Sequence, residues 1–283
     1  MEFNNIGIIG AGTMGSGIAQ ALAVSGINVV ISDVAKAQLE RATQTVSGSL
    51  DRLVKKEKLT ADQKAQALAR LRTATDLAAL KDCPLVIEAA TENLELKLKI
   101  FAQVDAMLPP GAVIATNTSS ISITRLAGAT KRPDKIIGMH FFNPVPVMAL
   151  VELIRALQTS DETYAAAEAL AKKIGKTPVQ VRNSPGFVVN RLLCPMINEA
   201  AFALAEGLAT AEQIDQAMKL GANHPIGPLA LADLIGLDVE LAVMQVLYEG
   251  FKDSKYRPAP LLVEMVEAGY LGRKTKRGFF RYD

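Results

Sequence analysis

The chain has 283 residues, 49% of them hydrophobic and 21% charged, with a formal net charge of +2 at pH 7. That length and composition exclude a disordered chain and fit one large or two medium domains; so small a net charge excludes nucleic acid as a bulk partner. Trp is absent and aromatic residues make up 5%, so the core must come from Ala, Leu, Ile and Val. Cys83 and Cys194 are far apart and form no metal-ligand spacing, which reads as two free thiols in a reducing compartment and no metal. No apolar run reaches the ~20 residues that span a bilayer. The N-terminus runs straight into Ile6-Gly7-Ile8-Ile9 with no targeting pattern, so the expectation is a cytoplasmic protein without a membrane partner.

In chain order, the apolar run 6–9 leads into Gly10-Ala11-Gly12-Thr13-Met14-Gly15, a helical pattern from Ile18 to Ser25, and a second strand, 27–32, closing on Asp33. This is a strand, glycine turn, helix, strand and acid in succession. Gly10 permits the tight turn, Gly12 lets the backbone approach a pyrophosphate, and Gly15 lets helix and strand pack closely. The helix start then offers unpaired N–H groups to phosphates. Asp33 stands where a carboxylate accepts ribose hydroxyls and repels a 2′-phosphate, which favours NAD over NADP.

Residues 35–58 form a long helical pattern with Ser49, Arg52, Lys55 and Lys56 within two turns of one another. By chemistry alone, this is a solvated basic helix end favoured by the helix dipole rather than a phosphate contact. Thr60 with Gln63 predicts a capping box and a helix to about Leu71, followed by a short loop. Strands at 84–90 and 112–116 end in Thr91-Glu92-Asn93 and Asn117-Thr118-Ser119-Ser120; between them lies a helix, about 94–107, carrying Lys97. Open α/β sheets bind ligands at the C-terminal strand ends. That makes Glu92, Lys97, Asn117 and Ser119 candidates there, with surface or capping roles as the plainer alternatives.

Next comes Lys135-Ile136-Ile137-Gly138-Met139-His140-Phe141-Phe142-Asn143-Pro144-Val145-Pro146, then the apolar run 149–154. The prolines place a turn. A hairpin folded about Pro146 sets His140 opposite Glu152, within reach of an imidazole–carboxylate hydrogen bond. The plainer reading is a core histidine near a salt-bridging glutamate. A helix over 161–174 and a strand over 178–181 complete this part. From Phe187 strand alternation gives way to helical periodicity, with helices over 187–200, 210–220, 227–235, 236–251 and 260–268. The predicted fold is an α/β Rossmann-type dinucleotide-binding domain, residues 1–184, whose mostly parallel sheet has antiparallel last strands. An all-α C-terminal domain, residues 185–283, follows. Asn190 opens it and is placed to face the groove between domains, and its excess of apolar helices predicts a homodimer.

Taken together, Gly10–Gly15, Asn117-Thr118-Ser119-Ser120, His140-Phe141-Phe142-Asn143-Pro144, the run Asn183–Arg191 and His224-Pro225-Ile226-Gly227-Pro228 resemble the 3-hydroxyacyl-CoA dehydrogenase family, above all its short bacterial 3-hydroxybutyryl-CoA members. The resemblance covers the whole chain in order. It implies a catalytic His140–Glu152 pair, with Ser119 and Asn190 binding the reacting oxygen. It implies NAD contacts from Gly10, Gly12, Thr13, Met14, Gly15, Asp33, Glu92, Lys97, Asn117, Ser119, Asn143 and Lys274. Ser49 and Lys56 match positions that meet coenzyme A in relatives, which reverses the plain reading of that helix end and implies an acyl-CoA substrate. One departure stands in the tail, where Lys276 replaces the glycine of the family's Lys-Thr-Gly. A two-domain NAD dehydrogenase of a free hydroxy acid, of the gulonate type, is the alternative activity. An NAD-binding protein without catalysis is a second, against which the joint presence of His140, Glu152, Ser119 and Asn190 speaks.

Overall fold

In the computed structural model, which describes residues 3–283, the chain divides into two compact units between Asn183 and Ser184. The first runs β1 (Asn5–Ile9), α1 (Thr13–Val24), β2 (Asn28–Ser32), α2 (Lys36–Lys55), α3 (Ala61–Ala69), β3 (Leu71–Ala74), β4 (Leu85–Glu88), α4 (Leu94–Met107), β5 (Val113–Thr116), α5 (Ile123–Ala127), β6 (Ile136–Phe141), β7 (Leu150–Arg155), α6 (Asp161–Lys173) and β8 (Thr177–Arg182). The strands form one sheet in the order β3-β2-β1-β4-β5-β6-β7-β8. From β3 to β6 neighbours pair in parallel. β7 turns antiparallel to β6, and β8 runs parallel to β7. The expected mostly parallel sheet with reversed last strands is what forms.

The central strands are buried along their whole length, which explains why they read as continuous apolar runs rather than alternating ones. Ile6, Ile8, Ile87, Ala115, Ile137 and Leu153 belong to one core cluster with the inner face of α1. Helix starts follow local chemistry: Thr60 and Gln63 make the expected capping box on α3, Asn93 caps α4, and Ser160 caps α6. α1 begins at Thr13, ahead of the predicted Ile18, because its first turn is carried by glycines that interrupt the apolar period. The predicted loop after Leu71 is in part a strand. β3 pairs with Val29–Ser32 along the sheet edge, and its half-exposed, polar sequence shows no alternation.

The second unit contains α7 (Val189–Ala205), α8 (Ala211–Gly221), α9 (Pro228–Ile235), α10 (Leu237–Phe251) and α11 (Pro260–Glu267). Buried acids organise it. Asp215 accepts the N–H groups of Leu229 and Ala230 at 2.8 and 2.9 Å, satisfying the start of α9. Asp233, 1% exposed, accepts from the Phe279 and Phe280 N–H groups and the Tyr282 hydroxyl, each at 2.9 Å, and so ties down the C-terminal segment. Glu240 differs: it is fully buried on α10, and neither carboxyl oxygen has a hydrogen-bond partner of good geometry. Burial pushes its carboxyl up to about 8, eased slightly by the weakly donating Cys194 thiol beside it. Burial and Glu240 in turn push the Cys194 thiol upward. Lys276, at the family's glycine position, adopts a left-handed φ of 58° in the turn after residues 273–275. Among the described residues, no helix is long and apolar enough to cross a membrane.

Candidate active site

Most candidate residues of the first unit gather at the C-terminal ends of its strands, with Ser49 and Lys56 on α2 and its end and Lys97 on α4. β1 ends in Gly10, whose φ of +99° favours glycine and whose added Cβ would lie 2.6 Å from the Ala90 backbone. A Cβ on Gly15 would lie 1.9 Å from the Gly10 carbonyl oxygen, so only glycine allows the helix to pack this close. Gly12 is the reverse: a Cβ there would meet nothing within 4 Å. The backbone is bare toward open space, as a cradle for a pyrophosphate requires. α1 starts at this point with no side-chain cap and no acidic residue in its first turn, leaving its positive end available to an anion. Asp33 closes β2 and accepts the Ala11 N–H at 2.8 Å and the Ala35 N–H at 2.9 Å, which fixes its carboxylate beside the glycine turn. These features fit a dinucleotide.

The β4 and β5 ends carry a polar network. Glu88, fully buried, accepts the Ala90 N–H at 2.8 Å and the Thr116 hydroxyl at 2.8 Å, and pairs with the buried ammonium of Lys97. Lys97 Nζ also lies 3.7 Å from Glu92. Glu92 in turn accepts the Thr118 hydroxyl at 2.8 Å, the Ser119 N–H at 2.6 Å and the Ser119 hydroxyl at 2.8 Å. Three candidates, Glu92, Lys97 and Ser119, are thus one connected group. Glu88 is the member that sequence reading passed over. Asn117 accepts the Phe141 N–H at 2.9 Å, joining the β5 end to the β6 end.

On β6 and β7 the register sets His140 directly opposite Glu152. His140 Nδ1 lies 2.8 Å from Glu152 Oε2, with His140 at 6% exposure and Glu152 at 1%. The Phe142 ring leans on the imidazole at 4.5 Å between centroids. Beyond the pair the chain crosses a cis Asn143–Pro144 bond into a loop held by Lys176. That lysine's Nζ donates to the carbonyls of Val145 and Met148, and burial holds the ammonium below its ordinary value.

A cavity of about 380 Å³ lies among α1, α2 and this loop. Thr13 and Asn143 line it, and so do Ser49, Arg52 and Lys56. Two of the cofactor candidates, Thr13 and Asn143, and both coenzyme A candidates, Ser49 and Lys56, therefore meet in one space. Gln20 also lines it; the sequence offered no signal beyond a polar residue on the apolar side of α1. Asn190 and Lys274 belong to the second unit. Asn190 sits in the first turn of α7, and Lys274 pairs with Asp238.

Two family patterns match the chain: "3-hydroxyacyl-CoA dehydrogenase, NAD binding domain" over residues 5–184 and "3-hydroxyacyl-CoA dehydrogenase, C-terminal domain" over residues 186–282. The chain is 54% identical to a 3-hydroxybutyryl-CoA dehydrogenase of Bradyrhizobium diazoefficiens over 98% of its own length and 94% of the relative's. It is 51% identical to a 3-hydroxybutyryl-CoA dehydrogenase of Clostridioides difficile over 98% and 99% of the two chains. Among solved structures, (S)-3-hydroxybutyryl-CoA dehydrogenase PaaH1 from Ralstonia eutropha superposes with a TM-score of 0.97 at 64% identity, with both chains covered in full.

Proposed function

We propose, from the premise that this chain belongs to the 3-hydroxyacyl-CoA dehydrogenase family and is an NAD-dependent enzyme of it, that it interconverts (S)-3-hydroxybutyryl-CoA and acetoacetyl-CoA. The observation that carries the reading is the buried His140–Glu152 hydrogen bond of 2.8 Å at the C-terminal end of β6. A carboxylate on Nδ1 fixes the imidazole tautomer and orients the ring, leaving Nε2 as the basic nitrogen. In oxidation His140 takes the proton of the C3 hydroxyl, and Glu152 stabilises the imidazolium that forms. In reduction His140 returns the proton to the same oxygen. NAD, when bound, supplies the hydride acceptor and its reduced form the donor. Ser119 and Asn190 hydrogen-bond the reacting oxygen; such a donor is worth ~3 kcal/mol in the transition state. Asn190 enters this assignment from the family resemblance.

Gly10, Gly12, Thr13, Met14 and Gly15 cradle the pyrophosphate, and Asp33 takes the adenosine ribose. Glu92, Lys97, Asn117, Ser119, Asn143 and Lys274 complete the cofactor set. Ser49 and Lys56 hold the coenzyme A portion, supported by their place in the same cavity as Thr13 and Asn143. The helical unit serves as the homodimer face, and the enzyme works in the cytoplasm, where its coenzyme A thioesters are held. The test is the loss of NADH absorbance with acetoacetyl-CoA. Turnover is expected with the thioester and not with free acetoacetate. Equal reduction of the free acid would favour a hydroxy-acid dehydrogenase of the gulonate type instead.

A further inference from the structure

The floor of the α1–α2 cavity holds a polar group that none of the roles above uses. Gln20 is 3% exposed, lines the cavity, and makes no side-chain hydrogen bond with any described residue. The carboxamide is not sealed off, so its donor and acceptor stay open to a ligand that enters the cavity. The position follows from helix geometry: Thr13, Ser16, Gly17 and Gln20 fall on one face of α1 and together form one wall of the cavity. The opposite boundary comes from α2 and the loop after His140. Val46, Leu53, Val145, Pro146 and Val147 supply its apolar surface. Gly17 brings α1 against the loop, since a Cβ there would lie 3.0 Å from Val145.

A ligand for this space has to be largely aliphatic, with one group that both donates and accepts. It also has to end near Ser49, Arg52 and Lys56 in something anionic. A phosphorylated pantetheine chain has those parts in that combination: methyl and methylene groups, secondary amides, and phosphates at one end. A nicotinamide nucleotide lacks the aliphatic stretch. We propose that Gln20 is a substrate-contacting residue, whose carboxamide pairs with an amide of the pantetheine arm and sets the depth at which the thioester enters. The inference rests on the acyl-CoA reading above and adds a specificity determinant to it. Ser16, the other buried polar side chain of that wall, is not such a determinant. Its hydroxyl is already spent on the carbonyls of Ala11 and Gly12, at 3.1 and 2.6 Å.

The experiment compares wild type with Gln20→Met, which keeps the length of the side chain and removes both hydrogen-bonding groups. Substrates are acetoacetyl-CoA, acetoacetyl-pantetheine, and S-ethyl acetothioacetate, which has no amide. Loss of one neutral hydrogen bond predicts a KM raised ~5-fold for the first two. The value of kcat, the KM for NADH and kcat/KM for the S-ethyl thioester should stay at wild-type values. Gln20→Glu keeps the shape and should raise KM for the two amide-bearing substrates as well, because a carboxylate accepts but does not donate. An unchanged KM for acetoacetyl-CoA in both variants would overturn the proposal. So would an equal loss on the S-ethyl thioester, which would mean a general packing effect. Wild-type turnover of acetoacetyl-CoA, measured alongside, checks the underlying reading separately.

Discussion

Two buried glutamates, one in each unit, show what company does to a carboxyl. Glu152 on β7 is 1% exposed and faces an imidazole across the strand pair. Glu240 on α10 is fully buried among the apolar faces of its own unit, and burial raises its carboxyl to about 8. The first acid meets an imidazole 2.8 Å away, the contact on which the proposed proton transfer rests. The second is held neutral at pH 7 and contributes to packing only while it keeps its proton. Burial alone therefore does not decide what a buried carboxyl does; the groups it faces do.

The sharpest way to break this contrast is His140→Ala. We expect turnover to fall ~10³-fold, the scale of a lost general base, while NADH still binds. Near-normal turnover would leave Glu152 as inert as Glu240. Glu152→Gln should also lower kcat, because the imidazole remains but its charged form loses its carboxylate. An unchanged kcat would separate the carboxylate from the chemistry.

Glu240 is tested through stability. Its folded value of about 8 lies above the ordinary 4.5, so the folded state holds this proton more tightly than the unfolded chain does. Its contribution is complete below about 4.5 and is lost as pH rises through about 8. Thermal midpoints of the wild type should fall across that window, and Glu240→Leu should flatten the fall while leaving kcat with acetoacetyl-CoA unchanged. A Leu variant with the same slope would remove Glu240 as its source. The smallest effect concerns Lys276, whose left-handed φ of 58° suits glycine. Lys276→Gly should stabilise the helical unit by up to about 1 kcal/mol, read as a higher denaturant midpoint.

Much of this was legible in the sequence because it depends on local rules. The glycine turn with its flanking strands and the change of periodicity after residue 186 are short-range signals. The His140–Glu152 register followed from two residues equidistant from Pro146, since a turn fixes which positions face each other. What stayed hidden was long-range. β3 is an edge strand held by backbone pairing to β2, and its side chains carry no pattern. Glu88 read as part of an apolar strand, and nothing in the local sequence shows that its partners are Lys97 and Thr116. Gln20 matters only once α2 and the loop after Phe142 close around it.

The carboxylate of Asp233, sealed beneath residues 279–282, has an implication for synthesis. While those residues are still inside the ribosome, the nascent helical unit holds an acid whose three donors cannot yet reach it. The unit can gather its helices early, but it cannot close around Asp233 until residues 279–282 have emerged.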